Sequence, residues 1–129
     1  MSLDIWFDDP TATYATGSLF EANITHNLTT MAQEAGIYDA LWRPYKLHQD
    51  FFVYAGEDEY YFEGSCTITA EMLIPALREG LIKLQSDPEY YKQFNSPNGW
   101  GLYEHFVPFV EKVLNACEKY PEAIVDVCR

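Results

Sequence analysis

The chain has 129 residues, including ten Tyr, eight Phe and three Trp, which is the usual length of one domain with enough large apolar side chains for one core. This composition excludes a disordered chain and predicts a single folded domain over residues 1–129. A net charge of −12 repels phosphate backbones and anionic lipids, so direct binding to nucleic acid or to a membrane surface is not expected.

The acidic charge is concentrated in the first half of the chain. Residues 1–63 carry eleven acidic and two basic side chains, whereas residues 64–129 carry nine acidic and six basic ones. Two interpretations stay open: the charge serves solubility alone, or the acidic half docks on a basic host protein.

The cysteines and the N-terminus indicate the compartment. Cys66, Cys117 and Cys128 are odd in number and form no CxxC pair, so a disulfide framework is not expected. The first residues show neither the basic nor the apolar region of a signal peptide. Together these features predict a cytoplasmic protein.

The first elements are predicted from hydrophobic spacing. Residues 3–7 alternate and predict a strand, and residues 18–22 predict a second one. Asn23 or Thr25 is expected to cap a first helix that ends at Gly36. Its apolar face is predicted to contain Ile24, Leu28, Met31, Ala32 and Ala35. A short helical turn over residues 37–42 follows.

Residues 45–68 are rich in aromatic and acidic side chains. Two β-prone runs, 51–55 and 60–62, flank a turn that contains Gly56, and this pattern predicts a hairpin near residues 51–63. Both faces of the hairpin would be aromatic, so one of them is available for a partner.

The second half of the chain predicts helices and a closing strand. Helices are expected over residues 69–85, 87–94 and 102–120, with Thr69 capping the first and Ser86 or Asp87 the second. Residues 123–128 alternate and predict a strand that pairs with the N-terminal strands. The expected fold class is therefore α+β: a small antiparallel sheet, formed by the N-terminal strands, the hairpin near 51–63 and the C-terminal strand, packed with about three to four helices.

Motifs for catalysis and for cofactors are not recognised. The three histidines have no metal-ligand spacing, and Gly99-Trp100-Gly101 is too short for a phosphate-binding loop, so neither a metal nor a cofactor is expected. A catalytic Cys–His pair would require the fold to bring distant residues together. Packing on a helix is the simpler explanation for Cys117, and no catalytic residue is assigned.

A polar cluster gives the first candidate site. Its residues flank the starts of the first and last predicted helices, where backbone N–H groups and side-chain amides could bind a small anion or polar ligand if the two ends converge. The candidate ligand-binding residues are Asn23, His26, Asn27, Asn98, Trp100, Tyr103 and Glu104. The alternative is that these side chains only form caps and local turns.

The predicted hairpin gives the second candidate site. Aromatic side chains are enriched at the centres of protein interfaces, and acidic neighbours suit a basic partner. The candidate partner surface consists of Phe52, Tyr54, Glu57, Asp58, Glu59 and Tyr61. The alternative is that one aromatic face packs on the domain and the acidic residues form a solvated turn.

Two segments carry a family resemblance. Residues 23–28 (NITHNL), and residues 98–104 (NGWGLYE), resemble the motifs of a family of small uncharacterised bacterial and bacteriophage proteins. The resemblance covers residues 20–43 and 69–129, and it implies that residues 45–66 are an insertion and that the role is a cytoplasmic accessory one. The leading hypothesis is thus a non-enzymatic protein, of phage or prophage type, that binds a host protein through its acidic aromatic surface. The alternative is a small-ligand or enzymatic site built on Asn23, His26, Asn27 and Trp100.

Overall fold

The fold is α+β, as the sequence predicts. The computed structural model describes residues 2–11, 18–47 and 67–129. Its strands and α-helices, in chain order, are β1 (Ser2–Asp8), β2 (Phe20–Thr25), α1 (Thr29–Glu34), α2 (Tyr38–Trp42), α3 (Ile74–Ser86), α4 (Pro88–Lys92), α5 (Tyr103–Lys119) and β3 (Ile124–Cys128). Short 3-10 segments lie at His26–Leu28, Pro44–Leu47 and Ala70–Leu73.

The three strands form an antiparallel sheet in the order β2-β1-β3. Successive side chains of a strand point to opposite faces, so Leu3, Ile5 and Phe7 lie together on one face and are fully buried. Phe7 pairs with Phe20 of β2 on one side and with Val125 of β3 on the other. The C-terminal strand therefore closes the sheet beside β1, which confirms the predicted pairing.

Helix α5 supplies the largest helical share of the core because its apolar residues recur every three or four positions. The buried residues of α5 are Phe106, Phe109, Val110, Val113, Leu114, Ala116 and Cys117. Helix α3 lies against α5, and α5 also contacts β2. No helix in the described ranges is both long and apolar enough to cross a bilayer.

Several local predictions are confirmed and others are wrong. Asp87 caps α4 by accepting a hydrogen bond from the backbone N–H of Tyr90, with Pro88 in the first turn. Thr69 precedes the 3-10 turn that leads into α3, but its side chain makes no capping hydrogen bond. The described residues contain five α-helices instead of three to four, because the turn over residues 37–42 is a helix of its own.

The start of the first helix is the main correction. β2 extends to Thr25, so Asn23 lies in a strand and not in the first turn of a helix. Ile24 explains the error: it continues the alternation of Phe20 and Ala22, and it also fits the helical spacing to Leu28. The predicted hairpin near 51–63 lies outside the described residues.

Candidate functional site

The first wall of the candidate site is the turn before α5. The Oδ1 atom of Asn98 accepts hydrogen bonds from the backbone N–H of Trp100 at 2.9 Å and from the hydroxyl of Ser96 at 2.6 Å. Gly99 and Gly101 have φ values of 78° and 119°, a region that strongly favours glycine. These features fix the backbone on both sides of Trp100, yet 71% of its surface is exposed.

The second wall is the end of β2 with the 3-10 turn after it. The Oγ1 atom of Thr25 accepts a hydrogen bond from the backbone N–H of Asn27 at 3.3 Å, which starts the turn directly after the strand. Asn27 Nδ2 then donates a 2.6 Å hydrogen bond to the carbonyl oxygen of Trp100. Gly101 lies against the same side chain, since a Cβ at that position would be 2.8 Å from Asn27 Cβ. The two walls are therefore in direct contact.

The third wall is one face of α5, and the sequence analysis missed it. His105, Pro108, Phe109 and Lys112 are spaced by three, four and seven residues, so they lie along one side of the helix. The spacing is visible in the sequence, but His105 and Lys112 are polar residues of a kind that is ordinarily solvated on a helix, and Phe109 belongs to the core. Only the packing of α5 beside β2 makes this face part of a site.

Together the three walls enclose an open groove of about 1150 Å³. Ligand pockets of small molecules commonly measure about 300–1,000 Å³, so the groove is large enough for one. Its fifteen lining residues are Ser2, Asn23, Ile24, Thr25, His26, Asn27, Leu28, Asn98, Gly99, Trp100, Gly101, His105, Pro108, Phe109 and Lys112.

Five of the seven candidate ligand residues line this groove: Asn23, His26, Asn27, Asn98 and Trp100. Tyr103 and Glu104 do not. The hydroxyl of Tyr103 donates a 2.7 Å hydrogen bond to the carbonyl of Leu84, its backbone N–H donates to Asn95 Oδ1, and burial raises its pKa. Tyr103 therefore connects α5 to α3, and Glu104 is an exposed acid in the first turn of α5.

Asn23 lines the groove from the sheet. It is paired with Asp4 across β1 and β2, and its Nδ2 atom donates to Asp4 Oδ1 at 2.6 Å and to Ser2 Oγ at 3.0 Å. The side-chain amide of Asn23 is thus hydrogen-bonded to the carboxylate of Asp4 on the neighbouring strand. Asn23 acts from a strand, so the convergence of two helix starts does not explain its position.

His26 lies at the base of the groove with its ring edge-on to that of Trp42, at a centroid distance of 6.4 Å. His26 Nε2 and Trp42 Nε1 are both enclosed, and neither has a hydrogen-bond partner among the residues that the structure describes. The other imidazole nitrogen, Nδ1, is then the atom through which His26 can contact a molecule in the groove.

The ionisable side chains in the described lining of the groove are all of basic type. Among the described residues that line the groove, the titratable side chains are Lys112, His26 and His105. The ammonium of Lys112 lies 5.7 Å from the centroid of the Phe20 ring, within the range of a cation–π contact. The groove can therefore offer hydrogen-bond donors, a positive charge and an aromatic surface.

The two described cysteines do not line the groove. Cys117 is fully buried, and burial raises the pKa of its thiol to about 12, so the thiol stays protonated near neutral pH. A thiol in this condition is a poor nucleophile, which supports packing as the role of Cys117. Cys128 is exposed at the end of β3, and Cys66 lies outside the described residues.

The second candidate site belongs to the hairpin predicted near residues 51–63. Its residues, Phe52, Tyr54, Glu57, Asp58, Glu59 and Tyr61, all lie outside the described residues. The partner surface and the basic host protein therefore stay predictions from the sequence.

Within the described ranges, no group of three or more His, Cys, Asp or Glu residues is arranged to hold a metal ion. Comparisons with known proteins give no match: no family model, curated protein or solved structure is significantly similar to this chain. The groove is therefore the feature from which a function is inferred.

Proposed function

We propose that this protein binds a small organic molecule that carries a flat ring, and that the ring stacks on Trp100 in the groove between β2 and α5. The observation that carries the proposal is the contrast within Trp100: its backbone is held on both sides, and 71% of its surface is exposed. A large aromatic surface left in water is unfavourable unless something covers it.

The backbone of the turn explains why Trp100 suits this role. Its N–H donates to Asn98, and its carbonyl accepts from Asn27, so the turn does not need to reorganise when a ligand arrives. A site that is already ordered loses less conformational entropy on binding. Trp also has only two side-chain torsions, which lowers the cost of holding the indole ring against a ligand.

The rest of the groove fits a small polar ligand better than a wholly apolar one. Trp100 supplies exposed aromatic surface, while His26, His105 and Asn23 supply polar groups. Small-molecule sites commonly combine an apolar lining with a few polar groups that orient the ligand. The role we assign to this groove is binding, with no residue in it assigned to catalysis.

The proposal favours the second of the two sequence hypotheses. The first, a phage-type accessory protein that binds a basic host protein, depends on residues 51–61 and stays a separate prediction. The family resemblance is compatible with both hypotheses. Residues of its two motifs lie in the two walls that meet at Asn27 and Trp100, and the accessory role that it implies agrees with the first hypothesis.

The test uses three probes that share an indole ring: tryptophol (neutral), indole-3-propionate (anionic) and tryptamine (cationic). Each is titrated into the ¹⁵N-labelled protein, and amide and indole N–H shifts are followed by NMR. We expect at least one probe to shift the signals of Trp100, Asn27 and Gly101 together, and Trp100→Leu to weaken that binding at least tenfold.

Tyr90→Leu is the matched control, because Tyr90 is an exposed aromatic residue (42%) on α4 that does not line the groove. It should leave the dissociation constant unchanged. If no probe shifts the groove signals, or if Trp100→Leu and Tyr90→Leu have equal effects, the proposed function is wrong.

A further inference from the structure

The charge of the groove is opposite to the charge of the chain. Acidic residues occupy 20 of the 129 positions and basic residues only eight, yet none of the fifteen lining residues is acidic. The lining instead contains Lys112, His26 and His105. A region of positive charge within a strongly acidic protein is a specific feature, since net charge alone would leave the groove negative.

We propose that the groove selects anions, and that its ligand carries a carboxylate or a phosphate in addition to the flat ring. This inference rests on the proposed function and adds the charge of the ligand to it. Lys112 provides the fixed positive charge, and the two histidines provide N–H donors that bind an oxyanion.

Lys112 is available for this role because its charge is not neutralised nearby. Lys83 and Lys92 form ion pairs with acids three or four residues away on their own helices. The positions three and four residues from Lys112 are Pro108, Phe109, Asn115 and Ala116, none of them acidic. Within the described residues Lys112 makes no ion pair, and its ammonium lies over the ring of Phe20.

Three acidic residues are close to groove residues in sequence or through a hydrogen bond, but none of them lines the groove. The carboxylate of Asp4 accepts the hydrogen bond from Asn23. Glu111, which precedes Lys112, accepts a 2.9 Å hydrogen bond from Gln85 on α3. Glu104 precedes His105 but does not line the groove. Because no described lining residue carries a carboxylate, an entering anion would meet the donors of the groove first.

The positions of the donors indicate an elongated ligand. His105 and Lys112 are seven residues apart on α5, which places them about 10 Å apart along the helix axis. Trp100 lies before the start of α5, on the side of His105. A ring on Trp100 with an oxyanion on a short chain would extend from Trp100 towards His105 and Lys112.

The three indole probes test this inference because they differ mainly in charge. We expect indole-3-propionate to bind at least tenfold more tightly than tryptophol, and tryptamine to bind most weakly. The preference for the anion should decrease when salt is raised from 0.05 to 0.5 M, because screening weakens charge interactions. Phenethyl phosphate, compared with 3-phenylpropionate, which has the same ring, shows whether a phosphate or a carboxylate is preferred.

Lys112→Met should reduce the preference for indole-3-propionate over tryptophol to less than threefold. Lys119→Met is the matched control: Lys119 is also on α5 and over an aromatic ring, that of Tyr120 at 5.2 Å, but it does not line the groove. That variant should keep the full preference.

The outcomes separate the inference from the proposed function. If tryptophol or tryptamine binds in the groove as tightly as indole-3-propionate, the anion inference is wrong and the proposed function stands. The inference is also wrong if Lys112→Met and Lys119→Met keep the same preference. If none of the probes binds in the groove, both are wrong.

Discussion

The side chain of Asn27 donates a 2.6 Å hydrogen bond to the backbone carbonyl of Trp100, a residue 73 positions further along the chain. This bond joins the turn after β2 to the turn before α5. It connects the two segments through backbone and amide atoms, so it positions Trp100 without covering its indole ring. The groove depends on this connection, and the first two predictions test it.

Asn27→Ala removes the amide and leaves the carbonyl of Trp100 to solvent. A hydrogen bond of this kind contributes about 1 kcal/mol to the free energy of unfolding. We expect a loss of about that size in urea denaturation, together with altered NMR shifts for Trp100. Asn115→Ala is the control, because Asn115 is exposed on α5 and is not among the residues that line the groove, and it should cost nothing. Equal stability of the two variants would contradict the role of Asn27.

Gly101→Ala tests the close approach of the two walls. The new Cβ would lie 2.8 Å from Asn27 Cβ, and the residue has a φ of 119°, so both steric overlap and backbone strain are expected. We expect a loss of about 2–4 kcal/mol in unfolding free energy and weaker binding of groove ligands.

Gly99→Ala is the matched comparison for this variant. Gly99 also has a positive φ, 78°, but nothing lies within 4 Å of its missing Cβ. It should therefore show only the backbone strain, about 1 kcal/mol. If Gly99→Ala were as destabilising as Gly101→Ala, the contact with Asn27 would not be the reason that position 101 needs glycine.

Gly80→Ala tests the packing of α3 against the segment between α1 and α2. Replacing glycine by alanine inside a helix usually raises stability by about 1 kcal/mol. At position 80 the new Cβ would overlap with Ile37 Cγ2 and approach the carbonyl of Ala35 at 3.2 Å. We therefore expect the opposite sign, a loss of about 2 kcal/mol, measured by urea denaturation.

Ile37→Leu, combined with Gly80→Ala, identifies the cause. Leucine keeps the volume of isoleucine but lacks the methyl group on Cβ that would collide. The double variant should be more stable than the sum of the two single effects predicts, by about 1 kcal/mol. Strict additivity would show that Ile37 is not the obstructing side chain.

The raised pKa of Asp126 predicts an unusual pH dependence of the free energy of unfolding. Burial raises its pKa, and the neighbouring carboxyl of Asp8, which shares a hydrogen bond with it, raises it further. Because the folded protein then holds this proton more tightly than the unfolded chain, its contribution favours folding at low pH and is lost as the pH rises through the folded pKa. Asp126→Asn removes the unfavourable charge, so it should stabilise the protein at pH 7 by about 0.5 kcal/mol, reduced by solvent screening.

The comparison with Glu122→Gln separates this pair from the general effect of reducing a net charge of −12. Both variants lose one negative charge, but Asp126 shares a hydrogen bond with Asp8, whereas Glu122 lies before β3. Thermal unfolding from pH 3 to pH 8 should show a larger gain for Asp126→Asn at pH 7, and this excess should disappear towards pH 3. An excess that is independent of pH would contradict the assignment to the Asp8–Asp126 pair.

Much of the fold follows from short-range sequence patterns. The alternation of Leu3, Ile5 and Phe7 predicts β1, and the Asp87-Pro88 pair predicts the start of α4. These predictions hold because side-chain direction in a strand and hydrogen bonding at a helix end depend on residues a few positions apart. Asn23 was assigned wrongly, since Ile24 after it satisfies both strand and helix spacing.

The candidate site, in contrast, depends on contacts between residues that are far apart in the chain. The sequence by itself marks Asn27 and Trp100 as residues of interest, because amides and aromatic rings beside turns are chemically useful. It does not show that they touch, or that His105 and Lys112 lie beside them. Contact between residues 27 and 100, and between β2 and α5, is decided by how the helices cover the sheet, and that depends on the burial of the whole core at once.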